Sequence, residues 1–388
     1  MKNLLVIGGG TAGWLTALFC KKHFKGSSVT LIESNKVNTV GAGEGTSIDF
    51  PMLLEYLDIS EKDFLDNTNG TIKKAIRFDK WNDSGKVFYN GFWNESYDHA
   101  FHFDSTSIIK YFLKLASIRK IKHIIGDVTE IIGDKNISKI VLEDGQQFQP
   151  DFVFDCTGFS RLIIGNHFKE EWISSSNILE ANSAIPFSLP TSKLVEKDVT
   201  NALRRKHGWI WNIPLKHRLG CGYVFNDNIV DADTIRKEIR ELYGDDIELP
   251  RKINFKAGYY KNVWKGNCMA VGLSNSFFEP LLATSISVTS GQLTLIRKLG
   301  LDFAKREEFN NAIRGFIEQI ECFIEFHYHN KTPKSSNLKK VISKFKNDFI
   351  TSEYLVDLFK VPSHLLMFDR EAYNRALADF NILKKDVI

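Results

Sequence analysis

Residues 3 to 14 constrain this chain more than any other stretch. Asn3 to Ile7 is an apolar run, and Gly8, Gly10 and Gly13 follow it with the spacing G-x-G-x-x-G. A helical pattern then runs from Thr11 to Phe24. A strand that enters such a turn and a helix that leaves it form the first unit of a dinucleotide-binding α/β fold. Each glycine has its own task there. Gly8 permits the tight turn, Gly10 lets the backbone approach a pyrophosphate, and Gly13 lets helix and strand pack closely. The helix N-terminus, at Thr11 and Ala12, faces the phosphate charge. A second strand, Ser28 to Ile32, ends at Glu33, where the motif expects an acid for a ribose hydroxyl.

The remaining chemistry-bearing stretches lie downstream. Gly41-Ala42-Gly43-Glu44-Gly45-Thr46 is a second glycine-rich loop, able to wrap a ligand closely. Thr71 to Trp81 alternates as one strand, which puts Lys73 and Lys74 on opposite faces. Phe152 to Asp155 reads as a buried strand that stops at Cys156-Thr157-Gly158-Phe159, and open α/β sheets bind ligands at such strand ends. Trp209 and Trp211 stand two apart on a strand and share a face. A further strand ends at Gly272, a helix is expected over Ser287 to Leu299, and the tail from Arg306 is largely helical with a break near Pro333.

At 388 residues and 43% hydrophobic content, the chain can bury a large core. Its net charge of +4 is small and its basic residues are scattered, so no nucleic-acid surface is expected. The Lys331–Lys346 stretch reads as a solvated helix face. Five cysteines without a CxxC pair or metal spacing suggest reduced thiols, no metal, and a cytoplasmic protein. Met1 leads almost directly into the first strand, and no run approaches the ~20 apolar residues of a membrane span. Neither a signal segment nor a membrane association is expected.

Taken together, these stretches resemble the flavin-dependent halogenases of the tryptophan halogenase type, here in a short form. Gly8 to Trp14 matches the family's opening, tryptophan included, and Gly43 to Thr46 its second glycine loop. Thr71 to Trp81 matches the stretch carrying the catalytic lysine, which falls on Lys73. Asp155 to Phe159 matches a flavin-side motif. Trp209-Ile210-Trp211-Asn212-Ile213-Pro214 matches the W-x-W-x-I-P signature, the most specific of these. The resemblance implies a glutathione-reductase-like, Rossmann-type FAD domain formed by residues 1–175 and 262–300. It further implies a mixed β segment at 176–261 over the flavin and a helical region at 301–388. It places Gly8, Gly10, Thr11, Ala12, Gly13, Trp14 and Glu33 on the cofactor, with Gly43, Glu44 and Gly272 nearer the flavin. Trp209, Trp211 and Pro214 lie beside the flavin, and Thr284 and Ser285 at the halide.

The implied chemistry uses FADH2 from a separate NAD(P)H-dependent flavin reductase, together with O2. Flavin hydroperoxide and halide give hypohalous acid, which Lys73 delivers to an electron-rich aromatic. Two departures qualify the resemblance. The segment that usually reads E-P-L-E-S-T is here Glu279-Pro280-Leu281-Leu282-Ala283-Thr284, so Leu282 replaces a glutamate and Ala283 a serine. The chain is also short beyond about residue 330. A small phenol- or indole-type substrate is therefore expected rather than free tryptophan, with bromide or iodide favoured over chloride. Two alternatives stay open: a flavin monooxygenase, and an FAD-binding relic that does not halogenate. The oligomeric state is open, a dimer included.

Overall fold

The computed structural model describes residues 2–36, 43–82, 84–92, 98–329 and 331–380. Gly41 and Ala42 of the second glycine loop lie outside the described residues.

Strand β1 (Asn3–Ile7) enters the glycine turn and helix α1 (Thr11–His23) leaves it, followed by β2 (Ser28–Glu33). Next come β3 (Glu44–Gly45), α2 (Asp49–Tyr56), α3 (Glu61–Asn67), β4 (Thr71–Lys73), β5 (Ala75–Asp79), β6 (Phe88–Gly91) and β7 (Ala100–Phe103). Helix α4 (Ser105–Ile118) leads to β8 (Lys122–Ile125), a meander of β9 (Val128–Ile132), β10 (Lys139–Leu142) and β11 (Gln147–Phe148), and β12 (Phe152–Asp155). Then follow β13 (Trp172–Ser174), β14 (Ser183–Leu189), β15 (Val199–Arg204), β16 (Gly208–Pro214), β17 (Leu219–Phe225) and α5 (Ala232–Tyr243). Short strands β18 (Ile253–Asn254), β19 (Gly258–Tyr260), β20 (Trp264–Lys265), β21 (Cys268–Ala270) and β22 (Ser276–Phe277) precede α6 (Thr284–Leu299). The tail is α7 (Arg306–His329), α8 (Ser336–Asn347), α9 (Ser352–Phe359) and α10 (Arg370–Asp379).

Two sheets position the site. The first has the order β20-β21-β12-β1-β2-β8 and is parallel except for the β20–β21 pair. From β1 the chain moves outward through β2 to β8 and then returns to the other side at β12. The crevice at this switch of direction, beyond the strand C-termini, is where such sheets take ligands. The second sheet has seven strands in the order β18-β14-β17-β16-β15-β5-β6. One face carries Trp209, Trp211 and Ile213. The other packs Ile210, Tyr223 and Leu203 against Ile235 and Ile239 of α5.

The alternation from Thr71 to Trp81 is not one strand. It breaks at Lys74, because β4 pairs with β7 in a three-stranded sheet while β5 pairs with β15 and β6 in the second sheet. The faces alternate as the pattern requires: Lys73 is buried and Lys74 exposed. Helix α6 starts at Thr284, three residues ahead of the expected Ser287, because Leu282 (φ 68°) and Ala283 (φ 56°) make a left-handed turn just before it. The strand expected to end at Gly272 ends at Ala270, and a 3₁₀ turn covers Gly272–Ser274. The tail docks by aromatic packing. Phe323 stacks on Phe368 at 4.0 Å, and Gln319 holds the backbone of Met367 and Phe368. All five cysteines are buried and unpaired.

Candidate active site

The glycine turn is built by collision avoidance. A Cβ on Gly8, at φ 115°, would lie 2.2 Å from the Cys156 carbonyl oxygen at the end of β12. One on Gly13 would lie 1.9 Å from the Gly8 carbonyl. Gly10 is different: a Cβ there would meet nothing within 4 Å. Its open side faces a cavity of about 400 Å³ whose wall includes Gly10, Thr11 and Ala12. Gly10 caps α1 without a side-chain bond, so the first-turn amides are free to face an anion. This cradle fits a dinucleotide pyrophosphate.

The cavity continues past Gly43, Glu44 and Gly272 to Trp209 and Trp211, and ends at Thr284 and Ser285 of α6. Gly43 (φ 74°) and Gly272 (φ 68°) are left-handed, and a Cβ on Gly272 would press on Ala12 Cβ at 2.6 Å. Half-buried Glu44 accepts a hydrogen bond from Thr11 Oγ1 (3.2 Å), and burial pushes its carboxyl up to about 7. Trp209 and Trp211 stand 6.2 Å apart, and Trp211 covers Gly222, where a Cβ would strike the ring at 2.0 Å. The wall is overwhelmingly apolar, as a flavin ring and an aromatic substrate require.

Five residues assigned to the cofactor or the flavin lie off this wall. Gly8 and Gly13 act by packing. Trp14 is fully buried in the core, edge-on to His123 at 5.1 Å. Pro214 ends β16, and its carbonyl accepts from Thr71 Oγ1 (2.6 Å). Glu33 also lies off the wall but stays at the turn. Its Oε2 occupies the place a Gly9 Cβ would need, while Oε1 contacts His123 Nε2 at 2.7 Å. Asp155, at the end of β12, is spent internally: it accepts from the amides of Thr157, Ile163 and Ile164.

Lys73 is completely buried, and its Nζ donates to the Thr46 carbonyl at 2.7 Å. Gly45 connects it to the cavity. A Cβ at Gly45 would sit 3.3 Å from Lys73 Nζ, 3.5 Å from Thr200 Oγ1 and 3.6 Å from Ala283 Cβ. Gly45, Thr200 and Ala283 all line the cavity. Desolvation lowers the Lys73 ammonium to about 7, against an opposing pull from the Asp49 charge. His102, buried between Thr71 and Thr200, bonds Thr200 Oγ1 through Nε2 at 2.8 Å. Burial and the neighbouring Lys73 hold it neutral. Thr46 entered the sequence reading only as the end of the second glycine loop, and Asp49, His102 and Thr200 were not singled out at all. Nothing in the local patterns of those three marks them, because they meet this site only through tertiary folding.

Glu279 stands on the far side of the Pro280–Ala283 turn. Tyr328 of α7 donates to its carboxylate, at 2.7 and 2.8 Å from the two oxygens, and burial raises the acid to about 7. This pair ties the helical tail to the turn.

The profile of the family described as tryptophan halogenase matches residues 3–98 and 93–376, nearly the whole chain. The chain belongs to the tryptophan halogenase family. Among curated relatives, 7-chloro-L-tryptophan 6-halogenase KtzR of Kutzneria sp. (strain 744) is 26% identical, over 84% of this chain and 78% of its own. Tryptophan 7-halogenase RebH of Lentzea aerocolonigenes is 25% identical, over 84% and 76%. Among solved structures, the tryptophan 6-halogenase SttH of Streptomyces toxytricini superposes with a TM-score of 0.87 at 25% identity, covering 97% of this chain and 90% of its own. Membership makes the chain an oxidoreductase of the flavin-dependent halogenase type that uses FAD and O2 and works on an aromatic substrate with a separate flavin reductase. No helix among the described residues is long and apolar enough to cross a membrane.

Proposed function

We propose that this tryptophan halogenase family member halogenates a phenol- or indole-type aromatic other than free tryptophan, with Lys73 as its catalytic residue. The observation that carries the reading is a single cavity, running from Thr11 at the glycine turn to Thr284 at α6, with the Lys73 ammonium just behind its wall at Gly45. Reduced FAD, when bound, supplies with oxygen the oxidising equivalent that converts halide to hypohalous acid. The protein's part is to bind, orient and shield.

Free amides at the start of α1, with Gly10, Thr11 and Ala12, hold the pyrophosphate, and Glu33 holds the ribose at the same turn. Gly43, Glu44 and Gly272 shape the wall nearer the ring. Thr284 and Ser285 begin α6 after an Ala283 N-cap that makes no side-chain bond, so their amides and the helix dipole suit a halide. Trp209 and Trp211 keep bulky organic molecules from the oxidising centre. Lys73, near neutrality, donates a hydrogen bond to hypohalous acid when charged; when neutral its nitrogen attacks the halogen, the O–X bond breaks and the hydroxide leaves as water with the amine's proton, so the halogen is held beside one ring position.

Support for the substrate comes from this apolar wall. Leu282 leaves residue 282 without a base, which favours bromide or iodide over chloride. The partition into 1–175 with 262–300, 176–261 and 301–388 is supported by the six-stranded sheet, which takes β20 and β21 from the second stretch.

The test incubates the protein with FAD, a generic reductase and NADH, oxygen, each halide, and a panel of aromatics that includes tryptophan. Mass spectrometry reads the products. Halide-dependent product that falls at least ~100-fold in Lys73→Ala is expected. Equal product in that variant means free hypohalous acid and removes Lys73 from the mechanism. Oxygenated product without halogen points to a monooxygenase. Mainly chlorinated product in competition overturns the halide preference, and efficient chlorination of free tryptophan overturns the substrate.

A further inference from the structure

Trp209 and Trp211 line the cavity, and a row of oxidisable rings leads away from them. From centroid to centroid, Trp211 lies 6.2 Å from Trp209, Trp209 lies 5.9 Å from Trp81, and Trp81 lies 5.4 Å from Tyr328 of α7. The three tryptophans are buried, and Tyr328 is half-buried. The row therefore starts at the cavity wall, crosses the core and ends within reach of solvent. Two other rings beside Trp81, Phe78 at 5.5 Å and His327 at 6.3 Å, are harder to oxidise than an indole or a phenol. An electron vacancy that reaches Trp81 has its outlet at Tyr328.

The charges beside the row give it a direction. Arg204 of β15 is exposed, and its guanidinium stands 5.2 Å from the Trp81 ring and 5.5 Å from the Tyr328 ring. Such a cation is attracted to an intact ring but repels a ring that has lost an electron. Tyr328 can escape that repulsion by giving up its proton. Its hydroxyl donates to Glu279, at 2.7 and 2.8 Å from the two oxygens, and Glu279 is buried. When the electron leaves Tyr328 and the proton passes to Glu279, the indole cation and the buried carboxylate charge disappear together, and no unpaired charge is left to desolvate.

We propose that Trp211, Trp209, Trp81 and Tyr328 form a relay that carries one-electron oxidising equivalents from the cavity to α7, with Glu279 as its proton acceptor, and so protects the cavity wall. The relay goes beyond halogenation and needs neither Lys73 nor an aromatic substrate. Its oxidant comes from turnover that misses its product. Reduced flavin and oxygen then give hydrogen peroxide, and one further flavin electron splits that into hydroxyl radical and hydroxide. A halide that passes an electron to the hydroxyl radical leaves hydroxide and a halogen atom. The halogen atom takes an electron from Trp211 and returns to halide. Trp209 and Trp81 refill the vacancy in turn. Tyr328 supplies the last electron to Trp81 and its proton to Glu279, which leaves a neutral tyrosyl radical. A thiol in solution donates a hydrogen atom to Tyr328 and becomes a thiyl radical, and Glu279 returns its proton to water.

The test starts the relay without halide. Protein holding oxidised FAD is illuminated with blue light, which makes the flavin a one-electron oxidant, in the presence of a small nitroso spin trap. Peptide mass spectrometry locates the adducts, and wild type is expected to carry them on Tyr328. Trp81→Phe keeps a ring in place but interrupts the row. It is expected to lose the Tyr328 adduct and to carry adducts on Trp209 or Trp211 instead. Tyr328→Phe is the second variant, in case the first folds poorly, and should show the same retreat toward the cavity. After turnover with reduced FAD, oxygen and bromide but no aromatic substrate, both variants should show more oxidised Trp209 and Trp211 than wild type. Wild type without a Tyr328 adduct overturns the relay. A Tyr328 adduct that survives Trp81→Phe overturns the route, and equal oxidation of Trp209 and Trp211 in all three proteins overturns the protective task.

Discussion

Two turns deliver helix N-termini into one cavity, and they are made differently. The first, Gly8 to Gly10, opens α1; the second, Leu282 to Ala283, opens α6. Both helices begin on a cap residue with no side-chain bond, so both turn first-turn amides toward the cavity; the proposed function puts a phosphate at one end and a halide at the other. The first turn reaches its conformation with glycine, which bears left-handed φ without penalty. The second puts a leucine and an alanine in the left-handed region, where an L-residue costs roughly 1–2 kcal/mol. Strain at the second turn is compensated by burial of Leu281 and Leu282 and by the Glu279–Tyr328 tie to α7. One turn is cheap and conspicuous; the other is strained and held from outside.

The largest effects are expected at the first turn, where two glycines two residues apart should behave oppositely. Gly8→Val drives a Cβ into the Cys156 carbonyl at a forbidden φ. It should cost more than about 3 kcal/mol, read as loss of soluble protein or a collapsed melting temperature. Gly10→Val meets empty space and an ordinary φ of −76°. Its stability should stay within about 0.5 kcal/mol of wild type, while FAD affinity falls at least about tenfold by fluorescence titration. If both lose stability equally, Gly10 is a packing glycine and the cradle is not a ligand site.

A smaller effect is expected where the two turns differ most, in the cation beside the second. Lys73 is lowered from 10.5 to about 7 in the folded protein. Between those values the unfolded chain binds a proton that the folded chain does not, so this residue makes stability rise with pH across that window. Below about 7 the full penalty is present. Lys73→Met should therefore be more stable than wild type at pH 7 by a few kcal/mol, at ~1.4 kcal/mol per unit. The advantage should fade as pH approaches 10.5. Denaturant midpoints at pH 7 and pH 10 decide it; parallel curves for the two proteins would mean that Lys73 is solvated.

These contrasts explain what was legible in advance. The α/β class and the first turn were readable because glycine spacing is a backbone requirement written in residue type. The pairing of Trp209 and Trp211 on one face followed from strand alternation. Lys73 was singled out only by resemblance, since alternation alone marks Lys74 equally well. Trp14 was misplaced because adjacency in sequence to a ligand turn does not fix the ring's direction; α1 turns it into the core against His123. The break at Lys74 was invisible because the period-2 pattern continues while the pairing partner changes from β7 to β15. His102, Thr200 and Asp49 come from separate elements with no shared motif. The second turn escaped notice because neither Leu282 nor Ala283 announces a positive φ.

That last point yields the smallest and most specific expectation. Ala283 sits at φ 56° and ψ 39°, and its Cβ is 3.6 Å from the place a Gly45 side chain would begin. Ala283→Gly removes the left-handed penalty but adds conformational freedom to the unfolded chain, two terms of similar size and opposite sign. The net should be a gain of no more than about 1 kcal/mol, read as a small rise in denaturant midpoint with an unchanged m-value. Glycine would then have been the less costly residue at this turn, as it is at the first, and what the alanine methyl adds is a contact at the cavity wall beside Gly45, close to Lys73. The variant should accordingly be slightly more stable and less able to hold hypohalous acid beside Lys73, with more halogen escaping to a scavenger in solution. A clear loss of stability instead would show that the Ala283 methyl is a packing contact, and the contrast between a strained turn and a relaxed one would be lost.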